Sequence, residues 1–174
     1  MKYLLILLVG VCLILSTAMV AQEAPKPGPE HKKLGHMEGK WNCEGTNLSE
    51  KANDTGTCKW GGGGFFMLCT DQFTTSSGTV EIRTVIGYNR YEKAYTMYRY
   101  WSNGWSDFAK GWVKGNTWTW VFEDERVNDK LRRRQMTDET TPDSSTYKWE
   151  RSVEGEPWQV TTEGKCTRVK ETTN

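Results

Sequence analysis

Histidine is nearly missing: the 174 residues contain two, His31 and His36, both ahead of the main body of the chain. Ser-His-Asp and Cys-His catalysis need an imidazole beside the nucleophile, so neither chemistry has its base there. Histidine-ligated haem is disfavoured for the same reason, because no histidine follows His36. A surplus of one charge is missing too, with 23 Lys+Arg against 22 Asp+Glu. A dedicated nucleic-acid binder or a polybasic membrane-surface protein carries a basic excess that this chain does not have. Proline is scarce, and three of the five prolines fall between Gln22 and Pro29. A long apolar run occurs once, from Leu4 to Leu15 after Met1-Lys2-Tyr3. It is short for a membrane-spanning helix, and its charged start and hydrophobic centre are those of a secretory signal. Small residues allow cleavage after Ala18 or Ala21, and the second is preferred because the proline-rich stretch begins just beyond it. The expected organisation is a signal peptide over 1–21, a linker over 22–29, one domain over 30–170 and a short tail over 171–174. Cys12 follows Val11 rather than the small residue of a lipoprotein signal, so no lipid attachment is expected and the mature chain reads as secreted or periplasmic.

Aromatic residues are plentiful, with nine tryptophans and seven tyrosines. Loss of Cys12 with the signal leaves Cys43, Cys58, Cys69 and Cys166, an even set of the kind that forms disulfides in an exported protein. A zinc site ranks below this reading, since no pair has close ligand spacing and no histidine is near them in sequence. Three pairings are open to four cysteines. Cys58 and Cys69 sit symmetrically about Gly61-Gly62-Gly63-Gly64 and would face each other across a hairpin, which leaves Cys43 for Cys166.

Pro29 to Met37 reads as a short helix with proline in its first turn and Leu34 and Met37 on one side. His31 and His36 are five apart, off the same-face spacing of metal ligands, and read as solvated helix residues. From Gly39 onward the chain changes to short runs of Thr, Tyr, Trp, Val and Phe broken by Gly, Asn and Asp clusters. Strands are expected at Lys40 to Thr46, Thr57 to Lys59, Phe65 to Thr74, Gly78 to Asn89, Ala94 to Trp101, Ser106 to Lys114, Thr117 to Asp124, Lys130 to Asp138, Ser145 to Val153 and Trp158 to Val169. The fold class is therefore all-β, a single antiparallel barrel of about 8–10 strands with a short N-terminal helix. Alternation puts Trp118, Trp120 and Phe122 on one face of their strand, and Tyr147, Trp149 and Arg151 on one face of theirs.

Gly39-Lys40-Trp41 on the first strand looks like the Gly-x-Trp signature of lipocalin-like barrels, whose tryptophan packs at the closed end. Further shared features are Pro29-Glu30-His31 before the helix, Trp41-x-Cys43-x-Gly45, Gly87-Tyr88-Asn89 ahead of Lys93-x-Tyr95, and the closing Cys166-Thr167-Arg168. Together they resemble exported bacterial proteins grouped as domain of unknown function 1579, over nearly the whole mature chain. The resemblance implies a lipocalin-like barrel with no established activity. By the same analogy Arg168 lies over Trp41 in a packing role.

Charged clusters give few leads to chemistry. Glu123-Asp124-Glu125, with Asp107, suggests a paired-carboxylate site, but a solvated turn is the better reading because adjacent residues point in different directions. In Arg132-Arg133-Arg134 the middle residue faces one way and its neighbours the other, which suits cross-strand ion pairs. An inward Arg133 would need an anionic partner, such as a ligand carboxylate. Gly61 to Gly64 lacks the Lys-Ser/Thr and the strand-to-helix setting of a phosphate loop, and reads as a hairpin tip.

Three function classes remain. The first is a non-catalytic barrel that holds a small apolar or amphipathic molecule in a cavity drawn from Trp101, Phe108, Trp112, Trp118, Trp120, Tyr147 and Trp149, with Arg133 as the conditional charged member. The second is a structural or interaction protein whose aromatics fill the interior. The third is an enzyme using Tyr, Asp or Glu, ranked last for want of a constellation. No metal, cofactor or nucleic-acid partner is expected. An outer-membrane barrel is disfavoured because charges such as Glu81, Arg83, Lys148 and Glu150 interrupt both faces of most strands.

Overall fold

The computed structural model describes residues 24–170. The expected signal peptide, the first two linker residues and the tail lie outside the described residues. Helix α1 (Pro29–Lys33) opens with proline in its first turn and runs into a 3-10 turn, Leu34–Met37. Eleven strands follow: β1 Gly39–Asn47, β2 Glu50–Gly61, β3 Phe66–Thr75, β4 Gly78–Asn89, β5 Ala94–Trp101, β6 Ser106–Lys114, β7 Thr117–Phe122, β8 Glu125–Val127, β9 Lys130–Thr140, β10 Ser144–Val153 and β11 Gln159–Arg168. Ten of them form one closed antiparallel barrel, with the seam sealed by pairing of β9 with β10 and of β11 with β1. Strand β8 stands outside the ring and pairs only with β9. Closure leaves the ring without an unpaired edge, which is how an all-β chain avoids templating further strands. Among the described residues no helix is long and apolar enough to cross a membrane.

Two elements differ from the sequence expectation. Strand β2 is far longer than Thr57 to Lys59, because Asn53, Asp54 and Gly56 pair with β1 on one side and β3 on the other. Local β-propensity is weak beside such two-sided pairing. At the other departure, the acidic stretch expected as a turn contributes Glu125 to β8, where it pairs with Arg132 of β9.

The helical segment lies across one end of the barrel, and this overturns the expectation of solvated histidines. Leu34 is completely buried. His36 stacks on Trp118 with ring centroids 4.8 Å apart, and His31 meets the edges of Phe65 and Tyr88. The Tyr95 hydroxyl donates to the Glu30 carboxylate at 2.9 Å and so ties α1 to β5. Arg168 completes this end. Its guanidinium lies 4.3 Å from the Trp41 ring centroid and donates to the backbone carbonyls of His36, Glu38 and Pro142. Gly39 makes room for it: its φ is +112°, and a Cβ there would stand 2.8 Å from an Arg168 nitrogen.

Packed core fills the barrel beside this plug. Trp118 and Trp120 of β7 are buried together with Met67, Ile86, Tyr95 and Ala109 from the neighbouring strands. The Trp120 ring occupies the space over Gly111, where a Cβ would approach it to 2.4 Å.

Both disulfides join directly opposed residues of neighbouring strands, Cys43 with Cys166 across β1 and β11 and Cys58 with Cys69 across β2 and β3. Peptide mapping of the mature protein under non-reducing conditions is expected to recover these two linkages. A Cys43–Cys58 or Cys43–Cys69 peptide in the native protein would contradict the register of β1.

Candidate functional site: the barrel interior

The large rings do not fill the whole barrel. A cavity of about 520 Å³ remains, running from His36 and Met37 beside the plug to Phe73, Trp101 and Trp105 at the other end. That volume lies within the roughly 300–1,000 Å³ typical of small-molecule sites. Inward positions on nearly every strand line it, and both disulfides form part of its wall.

Of the aromatic candidates, Trp101, Tyr147 and Trp149 line this space. Trp118 and Trp120 face inward but belong to the packed core and do not line it. Phe108 and Trp112 point outward: Phe108 packs on Tyr98 with centroids 4.6 Å apart, and Trp112 is 48% exposed. The reason lies in neighbour volume. On β6 the inward positions carry the small Ala109 and Gly111, and Gly111 lies opposite Trp120 of β7 in the register. The bulk on this wall comes from β7, so the large β6 residues turn to the outside.

Arg133 is likewise on the outside, with 60% of its side chain exposed and Asp124 at 3.8 Å. The inward arginines are its neighbours. Arg134 and Arg99 flank Asp107, which accepts from Arg99 Nε at 2.8 Å, Arg99 Nη2 at 2.5 Å and Arg134 Nη1 at 3.1 Å. Glu125 pairs with Arg132 and with the other side of Arg134. Arg99 also stacks over Trp149 and Phe122, at 4.6 and 4.7 Å from their centroids. Asp107 and Glu125, considered above as a carboxylate pair, are thus bridged by Arg134, and both cavity guanidiniums have their anions within the protein.

Three other carboxyl groups face the cavity, Asp54 of β2, Asp71 of β3 and Asp138 of β9, and among the described residues no cation is in contact with them. Burial pushes Asp71 up to about 7; the nearby Asp54 charge adds to this and Arg99 opposes it. Burial lifts Asp54 to about 6 against the opposing Thr55 backbone amide, and Asp138 to about 6 against a hydrogen bond from Ser145. Asp54 Oδ1 is shielded from solvent and has no hydrogen-bond partner. Tyr147 stands near by, its hydroxyl raised by burial and by the Asp54 charge. Burial lowers His36. Sequence reasoning missed Asp54 and Asp71, although a signal was present. Once Cys58 and Cys69 face each other, residues two and four positions away share their face, which puts Asp54 and Asp71 inside.

The architecture is already known among solved proteins. The chain is similar to Rv2717c from M. tuberculosis, at 14% identity and a TM-score of 0.57 over 82% of this chain and 99% of that one. This likeness establishes the closed barrel fold alone. A de novo designed fluorescence-activating β-barrel also matches, at 14% identity and a TM-score of 0.44, over 78% of this chain and 95% of the design. No family model and no curated protein matches the chain.

Proposed function

We propose that the protein is a non-catalytic binding protein that holds one small apolar or amphipathic molecule inside its barrel. The observation that carries this reading is the space of about 520 Å³ within the barrel, left open where the strands could have supplied rings to fill it. Burying the apolar part of a ligand there is favourable by about 25 cal/mol per Å² removed from water. Export to an oxidising compartment belongs to the same reading and is supported by the two disulfides. The Gly39-Lys40-Trp41 start and the Arg168 clasp over Trp41 support kinship with lipocalin-like exported barrels.

Native mass spectrometry of protein purified without refolding tests the reading, with the intact mass compared before and after denaturation. A small molecule lost on denaturation is expected. For protein that has lost its ligand, titration with the neutral dye N-phenyl-1-naphthylamine is expected to saturate at one site. Thr84 is buried and lines the cavity, so Thr84→Trp fills the space and should abolish that saturation. A clean mass together with no saturable dye binding would favour a barrel with a structural or partner-binding role.

A further inference from the structure

We propose that the cavity selects an organic cation, an amphipathic amine or quaternary ammonium whose charged head sits against Asp54 and Asp71. The inference rests on the binding function proposed above and adds the chemical class of the ligand. Its basis is the uneven pairing of charges inside the barrel. Arg99 and Arg134 face the cavity but are bound to Asp107 and Glu125, so an anionic ligand would have to compete with anions already in place. Among the described residues the carboxyl groups of Asp54 and Asp71 have no such partner, and one oxygen of Asp54 is shut off from solvent with nothing to accept from. Buried charge that the protein does not pair is costly, and a ligand that pairs it recovers that cost.

A metal ion is a poor candidate for this role. Among the described residues no three His, Cys, Asp or Glu side chains lie together closely enough to hold one. The surrounding wall suits an organic body instead. Phe73 is on the strand of Asp71, and Trp101 and Trp105 line the same end of the cavity. Aromatic faces attract cations as well as apolar surface.

The groups that face the two aspartates set the pH behaviour: Asp54 and Asp71 act on each other, Tyr147 of β10 senses Asp54, and Arg99 of β5 acts on Asp71. Tyr147, raised further, stays neutral across the working range, so the carboxyl groups are what titrates, with Asp138 of β9 as a third on the cavity wall. Cation affinity therefore rises with pH as they ionise.

Calorimetric titration of the mature protein with three chain-matched probes tests this: dodecylammonium, dodecanol and dodecanoate, each at pH 5 and pH 8. Dodecylammonium is expected to bind at least tenfold more tightly than dodecanol at pH 8, and this advantage should shrink at pH 5. In the Asp54→Asn/Asp71→Asn double variant the advantage at pH 8 should fall at least fivefold, with Asp138 the one remaining uncompensated carboxylate among the described residues of the cavity wall, while dodecanol affinity stays within twofold. Retained dodecanol binding shows that the variant is folded. Equal affinities for all three probes, or tightest binding of dodecanoate, would overturn the cation inference and leave the binding function intact. No binding of any probe, together with a clean native mass and no saturable dye binding, would remove the binding function and this inference with it.

Discussion

Asp107→Asn is expected to destabilise the barrel by about 3–5 kcal/mol, the range found when one partner of a buried ion pair is removed. The Asp107 side chain is 4% exposed, and its two oxygens take three hydrogen bonds from two guanidiniums. With the charge gone, Arg134 keeps Glu125, but Arg99 has no anion in contact and stays stacked among Trp101, Phe122 and Trp149. A neutral amide replaces two ionic hydrogen bonds poorly, since its nitrogen donates where a guanidinium also donates. Urea unfolding at pH 7 measures the loss. The companion Asp107→Asn/Arg99→Met removes the stranded cation and should recover at least half of it. A single-variant loss below about 1 kcal/mol, the size of a surface ion pair, would mean that water reaches this cluster and that its arginines are free to meet an anionic ligand.

That cluster also shows where sequence reasoning succeeds and where it stops. Strands β4, β5 and β6 have the bounds expected from the sequence, Gly78–Asn89, Ala94–Trp101 and Ser106–Lys114, because turn residues flank clear runs of β-branched and aromatic side chains. The opposition of Cys58 and Cys69 was legible from their symmetry about the glycine run, and the alternation of Arg132, Arg133 and Arg134 was correct as a pattern. What a single strand cannot reveal is which of its two faces is inside, because that depends on the volume offered by its neighbours. Phe108 and Trp112 look like core by size, yet Trp120 of the adjacent strand takes the space and leaves β6 to contribute Ala109 and Gly111. The same limit hid Asp54. Its stretch, Asn53-Asp54-Thr55-Gly56, has the composition of a loop and becomes strand only because β1 and β3 pair with it on both sides. Polar residues on such an enforced strand end up facing the interior without having been selected for apolar character, which is how an aromatic-rich barrel comes to carry carboxyl groups in its cavity.

Those carboxyl groups make the empty barrel lose stability as pH rises, and Asp71→Asn should cancel the largest share. Asp71 goes from its ordinary 3.8 to about 7 in the folded chain, so between these values the folded protein holds a proton that the unfolded chain has released. Stability then falls with increasing pH, by about 1.4 kcal/mol per unit for one such group. The contribution is complete below pH 4 and is lost once pH has risen through 7. Asp54 and Asp138, raised to about 6, act in the same direction over a narrower window. Asparagine keeps the shape of the neutral acid and has no proton to lose. Asp71→Asn should accordingly match the parent within about 1 kcal/mol at pH 4 and exceed it by about 2–4 kcal/mol at pH 8, an order-of-magnitude conversion of the shift. Urea midpoints at pH 4, 6 and 8 for both proteins supply the comparison, and taking the difference removes the contribution of every titrating group that does not interact with Asp71, leaving Asp71 together with its coupling to Asp54. Parallel curves would show that Asp71 is solvated in the folded state. Repeating the pH 8 measurement with dodecylammonium present connects stability to recognition: a cation seated on the ionised carboxylates should stabilise the parent more than Asp71→Asn, because the variant keeps Asp54 but has lost the more deeply shifted partner of the pair.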